Sequence, residues 1–197
     1  MLEAGTLRRR GFAGLFLIAL AAPLASQQPA GGGSVPPPAG FRQVQLADLE
    51  RERGMTLAMV DSMPERLMHF KPVPVVRDFA QQIAHAAMPM ADYAAQAVGQ
   101  RPPNPGDSAA YLNSKAALRE AVGRAYEYCI RALRGLSESD YVGATAFFGR
   151  QVPRWKIFEA AREHSVWTRG EIVVYFRLNG MAPPAFELFP MSAPPRR

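Results

Sequence analysis

Apolar residues recur at helical spacing along most of this chain, and no stretch of useful length alternates in the manner of a strand. Leu46, Leu49, Leu57 and Val60 give a loose stripe that predicts a first helix over about 45–62, closed by Pro64. His69 to Pro74 reads as an extended connector, because each proline pushes its predecessor out of the helical region. Val76, Phe79, Ile83, Ala87, Met90 and Ala94 predict a second helix over about 76–98, with Pro89 expected to kink it. The run Gly99 to Gly106 is a break. Asp107 or Ser108 can cap a third helix running to about Leu133, striped by Leu118, Val122, Ala125, Cys129 and Ala132. Residues 137–149 show no clear period. Pro153 then opens a fourth helix that runs to Leu178, where Asn179-Gly180 and the pair Pro183-Pro184 stop it. Ile157, Ala161, His164, Thr168, Ile172 and Tyr175 share one arc of that helix. Four helices, with cross-connections expected through 64–75 and 134–152, predict an all-α four-helix bundle.

The N-terminus departs from this pattern. Arg8-Arg9-Arg10, an apolar run from Gly11 to Leu24 and small residues at Ala25-Ser26 have the layout of a cleavable signal peptide over residues 1–26. The apolar run is shorter than the roughly 20 residues a spanning helix needs. The expected location is therefore outside the cytoplasm, periplasmic or extracellular, with no stable membrane span after cleavage. Residues 27–40, rich in Pro and Gly, read as a linker. The bundle is expected over 41–190 and a loose tail over 191–197. Phe186, Leu188 and Phe189 offer apolar surface either to the bundle or to a second copy of the chain, so a homodimer is one expected assembly.

Removing residues 1–26 takes three arginines and Glu3 from the 23 basic and 17 acidic residues and leaves a net charge of about +4. That charge is interspersed rather than clustered, which argues against a nucleic-acid partner. The single cysteine, Cys129, permits no internal disulfide, and its helical neighbours make it a small buried hydrophobe rather than a reactive thiol.

Three histidines remain as candidates for chemistry: His69, His85 and His164. His69 lies in the Pro-flanked connector and reads as surface or packing. His164 is the polar exception on an apolar arc. His85 falls opposite the apolar stripe of its helix, either as a solvated residue or as part of a polar wall lining a cleft. Imidazoles on facing helices are a common source of transition-metal ligands in bundle cores.

The last helix, His164 followed by Thr168-Arg169-Gly170-Glu171, IVVYFRLNG and Pro183-Pro184, resembles that of the DinB-like (DinB/YfiT) superfamily. The usual form there is His-x-x-x-His-Arg-Gly-Gln, an aliphatic and aromatic run, Leu-Arg-x-x-Gly and two prolines. The stretch FKPVPVVRDFAQQIAHAA, Phe70 to Ala87, is similar to the connector and second helix of the same family. The resemblance implies a divalent metal, zinc or nickel, held by His85 and His164, with Thr168 standing where the third histidine is usual. Glu171 lies about 20° from His164 around the helix and is the nearest replacement ligand. Trp167 is expected to fill volume beside that position, and Arg169 and Arg177 to face solvent. The implied activity is a metal-assisted transferase or hydrolase acting on a small-molecule substrate. The alternative is a metal-free, non-enzymatic binding or structural bundle that has lost its third ligand.

Overall fold

A computed structural model describes residues 35–186. The expected signal peptide, most of the linker, Leu188, Phe189 and the whole loose tail over 191–197 lie outside these residues. Within them no helix is long and apolar enough to cross a membrane. Six helices and one hairpin follow in order: α1 (Phe41–Ser62), α2 (Phe79–Ala97), α3 (Ser108–Leu112), α4 (Lys115–Gly135), α5 (Glu138–Val142), β1 (Ala144–Phe147), β2 (Arg150–Pro153) and α6 (Arg154–Leu178). A single 3₁₀ turn at Glu65–Leu67 lies between α1 and α2.

The four long helices form the expected bundle. α2 packs along α6 on one side and α4 on the other, and α1 closes against α4. Contacts between chain segments fix the directions. Arg42 near the start of α1 bonds the carbonyl of Leu136 beyond the end of α4, and Asp61 near the end of α1 pairs with Arg119 early in α4. Arg154 at the start of α6 reaches the carbonyl of Ala97 at the end of α2. The Tyr175 hydroxyl late in α6 donates to the carbonyl of Arg77 before α2. α1 and α6 therefore point one way, and α2 and α4 the other. The segments 63–78 and 136–153 join antiparallel helices that stand diagonally across the bundle, as expected of the cross-connections there, and 98–114 is a further long crossover that returns along the bundle between the adjacent parallel helices α2 and α4.

Local chemistry explains the boundaries. Asp78 caps α2 in a reciprocal box with Gln81: its carboxylate accepts from the Gln81 amide at 2.8 Å, and the Gln81 side chain accepts from the Asp78 amide at 3.0 Å. α2 continues through Pro89. The expected third helix is two helices. The Asn113 side chain bonds the carbonyl of Ala109 at 2.7 Å, and the Ser114 hydroxyl accepts from the amide of Ala117 at 3.3 Å, so two side chains close one helix and start the next.

The hairpin β1–β2 is the element the hydrophobic pattern does not announce. Its two-residue turn, Phe148 (φ 46°) and Gly149 (φ 74°), puts both central residues in the left-handed region that primed hairpin turns require. A phenylalanine in that position is a poor turn signal, and strands of four residues are too short to display alternation.

Candidate metal and ligand cleft

The core holds Phe79, Tyr126, Phe158 and Phe176 fully buried at the bundle centre. Along the outer seam of α2 and α6 the packing opens into a cleft of about 530 Å³, lined by Arg77, His85, Tyr93, Phe147, Ala160, Glu163, His164, Trp167, Thr168 and Glu171. That volume suits a small molecule.

His85 from α2 and His164 from α6 meet here with ring centroids 5.0 Å apart and planes at 81°. The polar arc of α2 therefore faces the arc of α6 that carries His164, and the cleft reading of His85 is the one the fold realises. Tyr93, also on α2, lies 6.0 Å from the His164 ring and packs edge-on against Phe147 of β1 at 5.2 Å. Burial holds both imidazoles below the ordinary value of 6.5, and the positive charge of Arg77 pushes the same way. For His85 the neighbouring His164 adds to the lowering, while Glu171 opposes it at both rings. Both rings are thus favoured as neutral bases, the form that binds a metal or accepts a proton. The Nδ1 of His164 is shielded from solvent and has no hydrogen-bond partner. A buried polar atom without a partner is uncommon, and this one belongs to a ring that lines the cleft.

Glu171 reaches the same cleft from α6, but its Oε2 accepts a 2.6 Å bond from the Gln82 side chain. Thr168 is 4 % exposed beneath it. Among the described residues, no three His, Cys, Asp or Glu side chains stand assembled as a metal shell. His69 is remote in role: it pairs with the capping Asp78 at 3.1 Å and is largely exposed.

Two expectations for α6 are overturned. Trp167 fills no interior volume; it is 74 % exposed at the cleft rim. Arg169 does not face solvent. Its guanidinium forms a buried ion pair with Glu52 of α1 and donates to the Thr56 hydroxyl at 3.5 Å. Thr56 meets the Tyr126 hydroxyl at 3.0 Å, and Tyr126 meets Ser165 at 2.5 Å. Arg169 and Ser165 each adjoin a cleft residue in sequence, Thr168 and His164. The network therefore fixes the rotation of α6 from behind the cleft. Cys129 is fully buried, and burial pushes its thiol up to about 12, as its apolar neighbours imply.

The sequence profile of the DinB superfamily matches residues 48–167, more than half of the chain. The chain belongs to the DinB superfamily. The matched segment contains His85 and His164 and closes one residue before Thr168. Two solved structures share the fold of this DinB-superfamily chain. A DinB-like protein from Bacillus cereus ATCC 10987 superimposes with a TM-score of 0.65 at 16% identity, over 74% of this chain and 97% of that one. A DinB-like protein from Bacillus subtilis gives a TM-score of 0.59 at 18% identity, over 73% and 96%. No curated protein matches the chain.

Arg77, Tyr93 and Phe147 are cleft residues that the sequence reading does not single out. Arg77 precedes α2 and has no periodic position. Tyr93 is hidden by its surroundings in an Ala-rich helix, and Phe147 depends on the unrecognised hairpin.

Proposed function

We propose that the cleft binds one divalent metal, zinc or nickel, through His85 and His164, with Glu171 as third ligand, and that the exported protein acts as a metal-assisted transferase or hydrolase on a small molecule. The observation that carries this reading is the meeting of two neutral imidazoles from antiparallel helices, one with an open buried nitrogen, in a cleft with room for a substrate. The fit is that of two protein nitrogens, plus a carboxylate that must exchange its bond to Gln82 for the metal. Two or three protein ligands leave coordination positions for substrate, as catalytic sites require. When bound, the metal would supply Lewis-acid polarisation of the reacting group. The chain's own part is to hold the imidazoles neutral, to orient α6 through the Glu52–Arg169 pair, and to wall one side of the cleft with Tyr93 and Phe147. Metal analysis of protein purified without chelator tests this: about one metal per chain, lost in His164→Ala, supports it, and no stoichiometric metal removes it.

A specific observation favours a second reading, a metal-free binding bundle. Thr168 is buried where the family resemblance places a third histidine, and no three-ligand group is assembled. Thr168→His discriminates the two. If the parent holds no metal and the variant binds zinc, the bundle has lost its metal; if the parent already binds and the variant tightens it ~10-fold or more, the first reading stands.

A further inference from the structure

The rim of the cleft carries a second recognition chemistry that the imidazoles do not use. Trp167 is 74 % exposed, and its indole pairs with no ring or cation among the described residues. Glu163 and Glu171 stand four residues before and four after it, so the three side chains form one stripe along α6, and all three line the cleft. Glu163 has no hydrogen-bond or ion-pair partner among the described residues, and Glu171 is met only by the neutral amide of Gln82. Tyr93 and Phe147 add two further aromatic rings to the lining. Among the described residues the one cationic side chain on this lining is Arg77, whose backbone carbonyl accepts from the hydroxyl of Tyr175, one turn beyond Glu171; Arg162, in the hollow beside Glu163 and Trp167, is paired with Glu159 at 3.2 Å. The lining thus sets two carboxylates against one guanidinium, within a chain whose formal charge is +6.

We propose that this cleft binds a small organic cation, an alkyl- or arylammonium compound, with its charge over the Trp167 indole and beside Glu163. An exposed indole flanked by free carboxylates offers a quaternary or primary ammonium a face with negative electrostatic potential and a counter-charge without displacing any protein contact. The cleft volume accommodates a ring-sized body between the rim and the Tyr93–Phe147 wall. The proposal rests on the reading of this cleft as a ligand site and not on the metal.

The test is calorimetric titration of the full chain, freed of metal with chelator, with three probes that share a phenyl ring and differ in charge: benzyltrimethylammonium, benzyl alcohol and benzoate. The expected result is binding of the ammonium probe ~10-fold or more tightly than the other two, a ~10-fold loss in Trp167→Ala and in Glu163→Gln, and no loss in Arg77→Gln. Both rim residues are exposed, so the variants keep the fold, and an unchanged urea midpoint checks this. Equal binding of benzyl alcohol, preferred binding of benzoate with loss in Arg77→Gln, or no binding of any probe would each overturn the proposal. Because the metal is absent throughout, failure of the metal reading leaves this titration unaffected. Failure here likewise leaves zinc binding at His85 and His164 to be judged separately.

Discussion

Arg169→Met removes the positive member of an ion pair whose side chains are 4 % (Arg169) and 3 % (Glu52) exposed. The Glu52 carboxylate then stays in the interior with its backbone in place and only a 3.5 Å contact from Arg51, itself partly solvated. Breaking a buried pair from one side costs about 3–5 kcal/mol because the orphaned charge keeps its desolvation penalty. The Arg51 contact places the expectation near the lower bound, about 3 kcal/mol. For a domain of this size that is a fall in Tm of about 10 °C. Replacing both partners, Glu52→Met with Arg169→Met, removes charge and counter-charge together and should return most of the loss, since apolar replacement of a whole buried pair is about neutral or better. Urea unfolding of the four proteins in a double-mutant cycle gives the coupling directly. If Arg169→Met costs less than about 1 kcal/mol, or if the double variant is as unstable as the sum of the singles, the pair is not the closed interior unit described here.

Tyr126→Phe deletes a buried hydroxyl that joins Thr56 to Ser165 and should cost about 1–3 kcal/mol by urea unfolding, since two interior hydroxyls lose a partner. An unchanged midpoint would mean the three groups do not form one network. Cys129, buried with its thiol pushed up to about 12, should resist a maleimide in native protein at neutral pH and react on unfolding; stoichiometric labelling of the folded chain would contradict its placement. The histidine pair predicts a pH effect in metal-free protein. Both folded imidazoles titrate below the ordinary 6.5, so the unfolded chain binds these protons first. Their contribution is complete above pH 6.5 and is lost as the pH falls from there through the folded values. The urea midpoint should therefore drop between about pH 7 and about pH 5, and drop less in His85→Gln/His164→Gln; parallel profiles would refute the assignment.

The long helices were legible because their apolar faces recur over four or more turns, and Pro153 and Asn179-Gly180 mark the ends of α6; the cap at Asp78, which starts α2 three residues later than the expected Val76, was not read. The crossover 98–114 was not legible. Nothing in the residues 98–114 says that they return along the bundle; that follows from which helix pairs with which, a property of tertiary packing. The hairpin escaped because its turn uses Phe148 at positive φ in place of the usual Asn or Gly. Within the site, His85 and His164 stood out as rare residues on informative faces. Arg169 was misread for the opposite reason. A charged residue in a helix is most often solvated, and its partner Glu52 lies 117 positions away on α1, with no local pattern to connect them. Arg77 and Phe147 belong to the cleft through loop and hairpin geometry that periodicity does not encode.

The most direct test of the central claim, that His85 and His164 form one metal site in the α2–α6 cleft, is zinc titration of the chelator-treated protein by calorimetry. The account predicts one saturable site per chain, abolished in His164→Ala and in His85→Ala and weakened in Glu171→Gln, with folding preserved in each variant. Absence of any zinc uptake, or uptake that survives in the His85→Ala/His164→Ala chain, would contradict it.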